Sequence, residues 1–218
     1  MASLPGIIPL FPLPNLVLFP GMELPLHIFE PRYREMVADV ARDHRIVGMI
    51  LLKGDWESEY YSNPDTFEVG CAGRIEQLAQ LPDGRYNLIL SGISEFRIER
   101  ELRERAYRQA QVQWCAADRD ALDFDGDTMK LIHRLLVQYA GPPAEEAWHN
   151  VVGDRGLVGA DLINFLCFHL DFSPLEKQTL LEARDRRVAC LLDVFTFKIE
   201  ERKLGPMGGA GNPSGIVQ

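Results

Sequence analysis

Residues 15 to 37 read NLVLFPGMELPLHIFEPRYREMV, a strongly apolar stretch with prolines at 20, 25 and 31. One continuous helix is excluded, because an internal proline removes a hydrogen bond and clashes with the preceding turn. A membrane span needs about 20 uninterrupted apolar residues. A central strand loses its ladder at proline. Short elements remain. LVLFPG reads as a strand ending in a turn, LPLHIF as a second extended piece, and EPRYREMV as the start of a helix. Pro31 suits the first helical position, where a missing N–H costs nothing. Phe29, Tyr33, Met36, Val37 and Val40 follow at helical spacing. Upstream, Pro9, Pro12 and Pro14 suit an extended edge or entry strand.

The rest of the first half also reads as strands. Arg45 to Leu52 is a short apolar run of buried β type. Phe67 to Leu81 and Arg85 to Leu90 flank the turn Pro82-Asp83-Gly84, a hairpin signal. Ile93 to Glu99 alternates less cleanly. Tyr107 to Cys115 puts Tyr107, Gln109, Gln111 and Gln113 on one face and Ala110, Val112 and Trp114 on the other. Leu18, Phe19, Leu26, Ile28 and Phe29 are candidates to fill a barrel.

After an acidic stretch, Asp118 to Asp127, the period switches to helical. Leu131, Ile132, Leu135, Leu136 and Tyr139 make an amphipathic helix stopped at Gly141-Pro142-Pro143. Glu145 and Glu146 suit the first turn of a second helix, carrying Trp148, Val151 and Val152. Asp161 to Leu170 gives a third. Ser173-Pro174-Leu175-Glu176 is a capping box with proline at the first position. Its helix breaks near Asp185 and resumes to about Lys203. That last segment is apolar on two sides: Val188, Leu191, Leu192, Phe195 and Ile199 on one, Cys190, Val194, Phe197 and Leu204 on the other. Such a helix is either sandwiched or completed by a partner; sandwiching between helices and sheet is the expectation. The architecture is therefore α+β: a β-rich subdomain over 1–118 with one inserted helix, a helical subdomain over 119–204, and a glycine-rich, disordered tail over 205–218.

Charge and chemistry narrow the function. The net charge of −9 opposes nucleic-acid binding, which needs cations to neutralise phosphate. The arginines between Glu95 and Arg108 alternate with glutamates, so this run reads as a mixed-charge solvated face. The four cysteines form no C-x-x-C, which points to free thiols in a reducing cytoplasm and to no zinc site. The N-terminus lacks the basic region of a signal peptide. No P-loop, H-E-x-x-H or G-x-S-x-G is present. The acidic run Asp123 to Asp127 fails as a calcium loop, because Ala121 and Ile132 would occupy ligand positions. His27 and His169 read as satisfied, partly buried imidazoles, and no cofactor or metal is expected. Within Lys53 to Asp65, Trp56, Tyr60 and Tyr61 are the candidate protein-binding residues, since exposed aromatics anchor interfaces. The competing reading folds them back onto the edge of the core.

Three blocks carry a resemblance: Ile8 to Leu13 (IPLFPL), Val17 to Gly21 (VLFPG) and Leu24 to Tyr33 (LPLHIFEPRY). Further matches are Val69 to Ile75, Asp83-Gly84-Arg85, Ser91 to Arg97, and Glu176-Lys177-Gln178 with Leu180-Leu181-Glu182. Together they closely resemble the Lon N-terminal domain family, the substrate-binding domains of Lon proteases, which also occur in stand-alone bacterial proteins. The resemblance implies a PUA-like pseudo-barrel followed by a helical bundle. It also implies a protein-binding module for unfolded or degron-bearing polypeptide, acting beside a protease or chaperone component in the cytoplasm. Lon ATPase and Ser-Lys protease modules have no counterpart motif in these 218 residues, so neither activity is implied. A small hydrolase with a spatially assembled site is the first alternative, and a PUA-like RNA binder the second.

Overall fold

A computed structural model describes residues 4–54, 56–59, 64–115, 118 and 120–204; the expected tail 205–218 lies outside them. Six strands form in the first half: β1 (Ile7–Leu13), β2 (Glu23–Ile28), β3 (Ile46–Leu51), β4 (Val69–Gln80), β5 (Tyr86–Leu102) and β6 (Gln109–Trp114). Helix α1 (Pro31–Val40) lies between β2 and β3, with proline at its start as its sequence demands. Strands β1, β3, β4, β5 and β6 close on themselves, because β6 pairs with both β5 and β1. The β1–β3 pairing is parallel and the others antiparallel. Strand β2 lies outside this ring, paired to β5. The β-rich pseudo-barrel with one inserted helix, followed by helices, is thus the architecture found.

Alternation along the strands separates two cores. Inside the ring sit Ile8, Leu10, Ile46, Ile50, Ala72, Phe96, Ala110 and Val112, all buried. Gly48 and Gly70 make room for the Phe96 ring: a Cβ on Gly48 would stand 2.9 Å from it, and one on Gly70 would strike both the ring and the Met49 carbonyl. The opposite face of the same strands (Phe11, Val47, Met49, Val69, Cys71) joins a much larger core shared with α1 and the C-terminal helices. Strand β3 is therefore buried on both faces, which explains its unbroken apolar run.

Several sequence expectations are corrected. LVLFPG is no strand; residues 16–19 run irregularly, with Val17, Leu18 and Phe19 buried beneath the helices rather than in a ladder. Nor do Leu18, Phe19, Leu26 and Ile28 fill the barrel: they belong to or border the outer core, and Phe29 is 61% exposed. Strand β1 is no edge. Successive N–H groups in a strand point to opposite neighbours, and Leu10 N–H donates to Arg108 O on the β6 side (2.8 Å). Pro12 shares that side, but β6 pairs only with residues 7–9. Pro9 faces β3, whose pairing begins at Leu10. Staggered pairing thus leaves no ladder bond for either proline to break. The segments Arg85–Leu90 and Ile93–Glu99 are one strand, bent by irregularities in its pairing with β4 and β6. At the bend, Gly92 lets the loop backbone cross closely: Gly21 N–H donates to Gly92 O and Gly92 N–H to Met22 O, each at 2.8 Å.

The helical half holds α2 (Gly126–Ala140), α3 (Pro143–Trp148), a π-helical turn (His149–Asp154), α4 (Gly159–His169), α5 (Pro174–Glu182) and α6 (Arg187–Leu204). Asp125 caps α2, Gly141 stops it at φ 81°, and the Ser173–Glu176 capping box opens α5. The break before α6 lies at Arg184–Arg186, with Arg184 at φ 47°. Of the two apolar sides of α6, Leu191, Phe195 and Ile199 are buried. The other is only half covered: Cys190 and Val194 are half-buried and Phe197 is 60% exposed, so the sandwich is incomplete there.

The halves are joined by charge as well as by apolar contact. Arg187, fully buried, donates through Nε to Leu180 O (2.8 Å) and through Nη1 to Asn164. Its Nη2 reaches Glu95 (2.6 Å) and Leu181 O (3.0 Å). Asn164 in turn donates to Pro20 O (3.1 Å). Glu95 is therefore not on a solvated face, as the mixed charge around it suggested; β5 turns it inward to pair with Arg187.

Candidate apolar groove in the helical half

Trp56 lies half-buried in a short turn, Trp56–Glu59, and lines none of the depressions described below; Tyr60 and Tyr61 lie outside the described residues. The histidines do not converge. His27 is exposed rather than partly buried, with its Nδ1 2.6 Å from Asn87. His44 accepts from the Ile46 N–H (3.0 Å), and burial lowers its pKa. His133 pairs with Glu145 (2.9 Å) and stacks on Trp148.

A depression of about 540 Å³ beside the start of α1 is polar. Most of its charges are already matched: Arg32 with Glu30 (3.0 Å), Arg108 with Glu101, and Arg105 with Asp39 (3.6 Å), which leaves Arg103 without an ion pair among the described residues. The second depression, about 470 Å³, is a groove among α2, α3, the π turn and α4. Concave apolar surface of this size with few polar groups is what a ligand site needs, and here no internal pairing uses it up.

The groove follows from local sequence. Leu136 and Ala140 present the end of α2. Gly141 then reverses the chain and Pro143 starts α3 at once, so Ala144, Ala147 and Trp148 face the same space. The π turn widens the next coil, with Arg155 N–H bonding Asn150 O (3.0 Å), and adds Asn150 and Val151. Single π turns inside helices recur at functional sites. Opposite them stand Phe165, Leu166 and His169 of α4 and Leu170 just after it. Alanines at 140, 144 and 147, where larger residues would fill the space, keep the groove open.

One end is cationic. The Arg155 guanidinium lies 5.9 Å from the Phe165 ring centre. Lys177 Nζ donates to Phe168 O (2.6 Å). His169 is exposed, not partly buried as its sequence suggested, although its ring rests against Phe165 (4.2 Å). Burial first, then Lys177 and Arg155, lower the pKa of His169 and favour its neutral form. Burial likewise lowers Lys177, against the pull of Asp171. Burial also pushes the Cys167 thiol up to about 12 and raises Cys71, the reverse of nucleophilic activation. Among the described residues no group of three or more His, Cys, Asp or Glu could hold a metal, and no helix is long and apolar enough to cross a membrane. The groove can bind apolar groups and a neighbouring negative charge.

A family model for the substrate-binding domain of ATP-dependent protease La (Lon) matches residues 7–193. The chain belongs to this family. Lon protease 2 of Syntrophobacter fumaroxidans is 26% identical over 198 residues, which are 89% of this chain and 24% of that protein. The Lon protease of Cytophaga hutchinsonii is 32% identical over 108 residues, half of this chain. The chain spans about a quarter of the length of the Lon proteases it matches. The crystal structure of a Lon N-terminal domain protein from Xanthomonas campestris superposes with a TM-score of 0.61 at 26% identity, covering 86% of this chain and 97% of that one. The N-terminal domain of Mycobacterium avium complex Lon protease gives 0.64 at 15% identity, covering 89% and 98%, a likeness of fold. The Lon signature was legible in the proline-spaced block, whereas the groove was not. Leu136, Trp148 and Val151 carry only helical spacing in the sequence, and the three alanines are the available signal.

Proposed function

We propose that this Lon-type domain is a non-catalytic protein-binding module that takes apolar segments of unfolded or degron-bearing polypeptide into the groove of α2, α3 and α4. The observation that carries the reading is the groove itself, an open apolar concavity walled by Trp148 and Phe165 in a member of a substrate-binding family. We place this activity in the cytoplasm, with the bound chain passed to a protease or chaperone component. Burial raises the thiol pKa of Cys71 and Cys167, which weighs against either one as the nucleophile of a hydrolase, and the net charge of −9 disfavours RNA.

The test uses fluorescence anisotropy with a labelled, reduced and denatured model protein. Ala147→Trp fills the groove from an exposed position and should weaken binding about tenfold or more. Circular dichroism reports whether the fold is kept. Unchanged affinity in a folded Ala147→Trp protein places the binding surface elsewhere.

A further inference from the structure

We infer that the groove selects a polypeptide's C-terminus: an apolar last residue seated between Trp148 and Phe165, with its free α-carboxylate held by Arg155. This rests on the groove reading above and deepens it. Arg155 lines the groove yet pairs with no carboxylate among the described residues; its guanidinium stands against Phe165 instead. A guanidinium fork matches a carboxylate with two parallel hydrogen bonds. Lys177 adds positive charge near the same end, its Nζ 2.6 Å from Phe168 O beside His169; Asp171 offsets part of it, but no residue lining the groove is acidic. In a chain of net charge −9 this local cationic end, contiguous with apolar wall, is a departure from the surroundings.

The spacing favours a chain end over an internal acidic residue. The cation is 5.9 Å from the centre of the ring that forms the wall. A side chain resting on that ring therefore needs its carboxylate within about one residue's span, roughly 3.8 Å. In an extended segment the next side chain points to the opposite face, so an adjacent aspartate turns away from Arg155. The α-carboxylate of the same residue does not.

Three labelled peptides test this by anisotropy: one ending in Ala-Leu-Phe with a free carboxylate, its C-terminal amide, and a form extended by Asp-Gly-Ser-amide. The free acid should bind about tenfold tighter than the amide, with the advantage shrinking at raised salt. Arg155→Gln should remove the advantage of the acid over the amide, and Arg155→Lys should keep part of it. Equal binding of acid and amide overturns the carboxylate inference but leaves the groove reading standing. So does an extended peptide that matches the free acid. If no peptide binds at any concentration where the denatured protein does, the inference fails together with the placement of the groove.

Discussion

Arg187 shows how much one side chain can hold. It is fully buried and its bonds reach β5, α4 and the end of α5, while the guanidinium lies 5.3 Å from the Phe19 ring centre. Arg187→Ala would leave Glu95 charged, buried and unmatched, and should cost about 3–5 kcal/mol. Arg187→Lys should recover only part, because an ammonium cannot span those acceptors. Urea unfolding measures both, and a loss below about 1 kcal/mol for the alanine variant would refute the account. Nothing in ARDRRV distinguishes Arg187 from Arg184 or Arg186, since burial is decided by a partner 92 residues away. By contrast, Ser173 and Glu176 were legible because a capping box is local. Acid response is also set by single residues. Burial lowers the pKa of both His44 and His169 below the ordinary 6.5. Between the folded and unfolded values the unfolded chain binds more protons, so their contribution is whole above 6.5 and is lost as pH falls through the folded values. Thermal melts should drop on acidification from about pH 7.5 to 5.5. Replacing both histidines with glutamine should flatten that limb.

Among the elements, the barrel depends on absent side chains as much as on present ones. Gly70→Ala drives a methyl into the Met49 carbonyl and the Phe96 ring. It should destabilise by about 1–3 kcal/mol, read by chemical denaturation, whereas Ala79→Val on the exposed end of β4 should change little. The apolar run of β3 and the hairpin turn after β4 are legible in the sequence, and period-2 patterning reveals β6, whose buried face keeps one parity. It failed at Leu16–Phe19, which is extended and apolar but has no ladder, and at β5, where a bend changes the parity midway. The π turn left no trace either: Trp148 and Val151 fit an ordinary helix equally well, and the extra residue per coil depends on packing against α4.

On the scale of the molecule, one core serves both halves. Residues from β1 to α6 share it, and Gln178 of α5 donates to Val69 O of β4 (2.9 Å). Tryptophan fluorescence and far-ultraviolet circular dichroism should therefore report one coincident urea transition. Two separated transitions would show that the barrel and helices stand independently. The ring has a consequence for biosynthesis. Strand β1 leaves the ribosome before the other five, yet Ile7 must wait for Gln111 before its flank is covered. Until β6 emerges, the nascent chain carries an unclosed sheet with its apolar lining open, a window in which ribosome-bound chaperones would have something to hold. Refolding in isolation should accordingly be slow for a chain this short, since its defining contact is also among its most distant.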